Sequence, residues 1–324
     1  MHEAGLFADL VALGRKAAAR PGEVAAHDGA AHGAAHDGAA GQDGAEPVLL
    51  SDRRGVLVVR VGDVVVKAHP TRTDAGGLVV RTRVAADPLL AGLLVPPLAD
   101  APIRLGDRLV TLWPAGSPVD PDGEAPWERG AALLAGLHAV APARLAAGAE
   151  LPGWAGPARV ARAVGRLTVD DDVTAVIREA FAGLPPWSRG DAVPPRPGVL
   201  VHGDWHLGQL IRTPGADWRL IDVDDLGIGD PCWDLARPAA LYAAGVLPTG
   251  IWERFLTAYR RAGGCAVPAT GDPWPALDVP ARALTVQMAA VSVLYAYEGD
   301  RMLDETATAL VDTCRRISAG GEPE

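Results

Sequence analysis

Apolar positions change their spacing several times along the chain, and each change marks an element. Phe7, Leu10 and Leu13 recur every three residues, which predicts a first amphipathic helix within residues 1–20. In VLLSDRRGVLVVRVGDVVVKAHP two valine-rich runs flank Gly62-Asp63, the pattern of an antiparallel hairpin with a tight turn. A helical stretch follows over about residues 74–86, then LLAGLLVPPL, then IRLGDRLVTLWP, a second hairpin about Gly106-Asp107. From Trp127 the period becomes helical, with Leu133, Leu134, Leu137 and His138 on one face. Further helices are predicted over residues 158–167 and 171–183, and two short strands lie in GVLVHGD and RLIDVDD. The remainder, from Cys232 to about Ile317, reads as helices broken by Pro and Gly loops.

The pattern predicts an α+β chain with a small antiparallel β lobe and a larger, mainly helical lobe. Its expected divisions are a helix at 1–20, an insertion at 21–46, a small lobe at 47–112 and a large lobe at 113–324. The insertion, PGEVAAHDGAAHGAAHDGAAGQDGAEP, is almost all Ala, Gly, His and Asp. With nothing large to bury it cannot offset its ordering entropy, so it is expected to be flexible. His27, His32 and His36 belong to this low-complexity spacer rather than to a metal site.

Composition narrows the function classes. A chain of 324 residues, 49% hydrophobic, can bury a large core. Its net charge of −10 argues against broad nucleic-acid binding, which needs a basic face. Three cysteines in no CxxC spacing read as reduced thiols, as expected of a cytoplasmic protein. The N-terminus lacks the order of a secretory signal. ALTVQMAAVSVLYAYEG, interrupted by Gln287 and Ser292, reads as a buried helix rather than a membrane span.

Candidate chemistry sits in the two short strands. HGDWHLGQ places Asp204 and Gln209 five positions apart; LIDVDDLGIGDPCWDLA places Asp222 after an apolar strand. Phosphoryl transfer asks for a carboxylate near the attacking hydroxyl, oxygen ligands for Mg²⁺ and a cation on the phosphates. The two motifs carry the first two, and Lys67, at the end of VVVK, is a candidate for the third.

HGDWHLGQLIR followed by LIDVDDLGIGDPCWDLA resembles the aminoglycoside phosphotransferase and choline kinase superfamily, which usually shows HGDxxxxN, an apolar strand ending in ID, and GDPxxDLA. VVVKAH, TLWPAG and LLAGLH add to the resemblance, which extends from about residue 47 onward. It implies a protein-kinase-like bilobal fold and an ATP- and Mg²⁺-dependent O-phosphotransferase acting on a small hydroxylated molecule. Asp204 would be the catalytic base, Asp222 the principal Mg²⁺ carboxylate and Gln209 the amide ligand. Lys67 would hold the α- and β-phosphates, and Leu112 to Gly116, including Trp113 and Ala115, would form the hinge around adenine. His202 would hold the catalytic loop in shape, and Asp230 would cap the next helix and brace that loop. Nucleic acid and membrane are not expected partners.

The chain departs from the pattern at three places. TDAGGLVVRTRVAAD contains no glutamate to pair with Lys67, leaving Asp74 or Asp87 as substitutes. SDRRG and RVGD show no GxGxxG, so backbone amides or Arg53 and Arg54 would cover the phosphates. Gln209 stands where Asn is usual, and HLGQ resembles the loop of the actinobacterial maltokinase and glucosamine kinase branch, which points to an aminoglycoside, sugar or aminosugar acceptor. The missing glutamate keeps one alternative open, a nucleotide-binding pseudokinase that senses or scaffolds.

Overall fold

A computed structural model describes residues 3–19, 46–53, 55–213, 215 and 217–320. The predicted insertion at 21–46, apart from its last residue, and Arg54 lie outside the described residues. In chain order the elements are α1 (Glu3–Ala19), β1 (Val48–Arg53), β2 (Val56–Val61), β3 (Val64–Ala68), α2 (Ala75–Ala85), β4 (Ile103–Leu105), β5 (Arg108–Pro114) and β6 (Ser117–Pro118). These are followed by α3 (Trp127–Ala139), α4 (Gly156–Gly165), α5 (Asp172–Ala182), α6 (Pro186–Arg189), β7 (Val199–Val201), β8 (Leu210–Arg212), β9 (Trp218–Leu220) and β10 (Gly227–Gly229). The chain continues with α7 (Cys232–Ala243), α8 (Thr249–Arg261), α9 (Trp274–Glu298) and α10 (Glu305–Ala319). The elements fall into two compact units, one made of residues 1–119, 143–151 and 210–224, the other of 120–142, 152–209 and 225–324.

The first unit is built on an antiparallel sheet of order β1-β2-β3-β5-β4. Both expected hairpins are present: Gly62 (φ 57°) turns β2 into β3, and Gly106 (φ 60°) turns β4 into β5. Strands β2 and β3 alternate buried and part-exposed positions, and α1 lays Leu6, Leu10, Val11 and Ala17 against Val59, Val61, Val64 and Val66. Gly14 lets the helix come close, since a Cβ there would sit 2.9 Å from Val61. Helix α2 starts at Asp74, whose carboxylate accepts from Gly76 N. A smaller sheet, β6-β8-β9, is joined by the Leu94–Leu220 bridge, with mutual backbone bonds Val95 N to Leu220 O and Leu220 N to Leu93 O.

The second unit is helical around the two-stranded sheet β7-β10. Long α9 packs against α7, α10, α4 and α5, while α3 packs against α8. Leu133, Leu134, Leu137 and His138 are all buried, as the helical spacing predicts. By length and composition α9 is the one helix among the described residues apolar enough to cross a membrane, yet 72% of its apolar window is buried inside the protein. That burial is the pattern of a core helix.

Candidate active site

In the first unit, the pairing of β3 with β5 puts Lys67 opposite Thr111. Lys67 is nearly buried, and its Nζ donates to Asp222 Oδ1 and sits against Asp224 Oδ2, both at 2.8 Å. Burial alone would lower the lysine's pKa, but the charges of Asp224 and Asp222 outweigh it and hold the ammonium well above its ordinary range. Asp224 in turn is held well below the carboxylate range: burial opposes this, and Lys67 and His69 overcome it. His69 completes the cluster, with Nδ1 3.4 Å from Asp224 and Nε2 2.9 Å from Thr111 Oγ1. Asp222 adopts φ 63°, an uncommon left-handed conformation for a non-glycine residue, which aspartate tolerates better than most.

This answers which acids meet Lys67. Asp74 caps α2, and Asp87 accepts from Leu89 N and Ala146 N, so neither candidate substitute is its partner. Its partners are Asp222 and Asp224. Leu112, Trp113 and Ala115 lie at the end of β5, where the Leu112 carbonyl accepts from Leu98 N, Ala115 N donates to Asp63 O, and Trp113 Nε1 donates to Thr111 Oγ1.

In the second unit, β7 leads into His202, and Gly203 (φ 84°) turns the chain so that Asp204 starts the loop that leads to Gln209. The turn is tight: a Cβ on Gly203 would lie 2.4 Å from Asp225 O. Asp234, fully buried in the first turn of α7, accepts from His202 N (2.7 Å) and Gly203 N (2.8 Å). His138 Nε2 lies 2.9 Å from the same carboxylate and His138 Nδ1 2.8 Å from Tyr259 OH. A chain of buried polar groups therefore runs from α8 through α3 and α7 to the loop backbone.

Asp204 itself is gripped on both oxygens. Arg159 from α4 meets Oδ2 at 2.6 Å and Arg237 from α7 meets Oδ1 at 2.9 Å, while Arg159 also pairs with Asp225. Burial would raise the pKa of Asp204, but the two guanidinium charges prevail and hold it below the usual range. Gln209 is buried, its N–H closing a turn onto His206 O. Asp230, expected to cap α7 and brace the loop, accepts from Cys232 N beside the N-cap Pro231, and it is Asp234 that braces the loop. Trp205 and Trp233 are buried aromatics, Trp205 stacking on Phe255.

The model of the Phosphotransferase enzyme family (APH) matches residues 11–274. The chain belongs to that family. Membership in the phosphotransferase family makes it an enzyme of the small-molecule kinase type, moving a phosphoryl group to an alcohol acceptor. No curated protein matches the sequence. Among solved structures, a choline/ethanolamine kinase family protein from Mesorhizobium loti is 20% identical, with 87% of this chain and 89% of that one covered and a TM-score of 0.52. Choline kinase LicA from Streptococcus pneumoniae is 13% identical over 85% and 94% of the chains, with a TM-score of 0.56. A thermostable mutant of aminoglycoside phosphotransferase APH(4)-Ia, solved with AMP-PNP and hygromycin B, is 16% identical over 86% and 95%, with a TM-score of 0.53. These likenesses establish the kinase-like fold.

Within this phosphotransferase, sequence reasoning missed Asp234, Arg159 and Arg237. Asp234 stands inside the quoted GDPCWDLA, so the signal was present although the bracing was assigned to Asp230. The two arginines lie on helices, where such residues ordinarily face solvent, and nothing in the pattern marks their aim at Asp204.

Proposed function

We propose that the protein is an ATP- and Mg²⁺-dependent O-phosphotransferase in which Asp204 receives the acceptor hydroxyl. The observation that carries the reading is the Asp204 loop: its carboxylate is deprotonated at neutral pH, and its backbone is fixed by a buried aspartate. APH(4)-Ia, a relative by fold, has been solved with AMP-PNP, which favours an adenine nucleotide as donor.

Asp204 would orient the hydroxyl and accept its proton as the acceptor oxygen bonds to the γ-phosphorus and the bond to the ADP oxygen breaks. Lys67 would hold the α- and β-phosphates, its charge secured by its acidic neighbours. Leu112, Trp113 and Ala115 would line the adenine. The donor chemistry fits a hard divalent ion, since Asp222 and Asp224 bring carboxylate oxygens to within 2.8 Å of one cationic group, the Lys67 ammonium. Asp222 and Gln209 would hold Mg²⁺, which when bound neutralises phosphate charge. No step requires Asp204 to be a strong base, because positioning and charge neutralisation supply most of the catalysis in such transfers.

The test is ADP release from Mg-ATP with a panel of small hydroxylated acceptors. Asp204→Ala is expected to lower the rate by about 10²–10⁴-fold. Equal rates for wild type and Asp204→Ala would overturn the role, and ATP binding without turnover of any acceptor would favour the sensing pseudokinase.

A further inference from the structure

We infer that the acceptor carries a carboxylate close to its reacting hydroxyl, bound in a hydroxy-acid subsite formed beside Asp204 by Arg159, Arg237 and Gln287. The inference rests on the reading of Asp204 as the residue that meets the acceptor hydroxyl, and it narrows the acceptor class.

A small cavity opens beside Asp204, with Trp233 and Leu284 as apolar walls and Arg159, Arg237, Trp205 and Gln287 as polar lining. The lining is weighted toward donors. Arg237 uses one Nη on Asp204 Oδ1, while its Nε is buried with no hydrogen-bond partner among the described residues. Trp205 Nε1 is in the same condition. Gln287, on α9 and 7% exposed, has a side-chain amide with no partner among the described residues. Buried donors without acceptors are costly, and two of them, Arg237 Nε and Trp205 Nε1, line one cavity, the complement of an acceptor-rich ligand.

Charge narrows the class further. The Nε and Nη edge of a guanidinium matches the two oxygens of a carboxylate. Arg237 already spends its Nη on Asp204. A carboxylate placed across Nε and that Nη would draw the guanidinium off Asp204 Oδ1, leaving this oxygen to accept from the ligand's own hydroxyl. A hydroxyl one or two carbons from the carboxylate is within reach of that oxygen, as in an α- or β-hydroxy acid or a sugar acid. A neutral sugar offers no charge to displace the Arg237–Asp204 pair. A polycation would approach two guanidinium groups whose neutralising carboxylates are already taken.

The experiment compares matched acceptors in Mg-ATP-dependent ADP release: glycerate with glycerol, gluconate with glucitol, glucuronate with glucose, and hygromycin B as the polycation. For at least one pair, kcat/KM is expected to be tenfold or more higher for the acid. Arg237→Gln should collapse that ratio to within about threefold of one. Gln287→Leu removes an amide that makes no hydrogen bond to the described residues, so it keeps the fold, and it should raise KM for the acid at least threefold with little change in kcat; it decides the matter if Arg237→Gln does not fold. Preference for the neutral polyols or hygromycin B, or an acid preference undiminished in the folded variants, overturns the inference while leaving the phosphotransfer reading intact. Absence of ADP release with every acceptor overturns both.

Discussion

Asp204 is a carboxylate whose proton affinity has been lowered by its neighbours. Its folded pKa lies below the unfolded value of about 3.9, so its contribution to stability is present above that value and is lost as pH falls through the folded pKa. The same shift bears on activity: kcat/KM is expected to stay level from pH 7 down to about 4.5 as far as Asp204 is concerned. A pH-rate profile in Asp204-dependent turnover checks this, and an acidic limb near pH 6 that vanishes in no other variant would contradict it. Asp234 is the other decisive side chain. Removing it strands two backbone N–H donors and His138 in the interior, so Asp234→Ala should cost about 3–5 kcal/mol in urea unfolding. Sequence showed Asp234 as a motif member without its role, because its partner His138 lies on another helix far back in the chain and no local periodicity links them. Lys67 was readable from VVVK, but its partners were not: Asp224 meets it through a long-range contact that a missing helix glutamate could only hint at.

Elements with regular spacing were legible from the sequence, and short irregular ones were not. The two hairpins, α2 and α3 follow directly from β-branched runs, Gly-Asp turns and a helical leucine stripe. Strands β6, β8 and β10 have two or three residues each, too few for a period to show, and β10 is Gly-Ile-Gly, which reads as a loop. Those glycines follow from close packing, since a Cβ on Gly229 would lie 1.7 Å from the Trp154 ring. The turn after β7 is similarly constrained. Gly203→Ala combines a left-handed backbone with a clash against the Asp225 carbonyl and should cost about 2–4 kcal/mol. Thermal or urea unfolding measures the loss, and a variant as stable as wild type would show that the turn is less tight than described.

At the scale of the whole molecule, the first unit is discontinuous in sequence. Residues 1–119 supply its main sheet, but β8, β9, Asp222 and Asp224 come from residues 210–224. A fragment ending at residue 119 would leave Lys67 buried without either acid and Leu94 without its bridge to Leu220. Expressed alone, that fragment is expected to lack a cooperative unfolding transition, and a dispersed NMR spectrum from it would refute the expectation.

The same discontinuity has a consequence during synthesis. Of the first unit, residue 119 leaves the ribosome 105 residues before residue 224 does, by subtraction of the two positions. At about 5–20 residues per second, this interval is roughly 5–20 s. Throughout it the valine-rich segments of the main sheet lack the acids that pair with Lys67. The acidic turn at residues 222–224 is the last part of the first unit to be made, and it is what supplies the partners of Lys67.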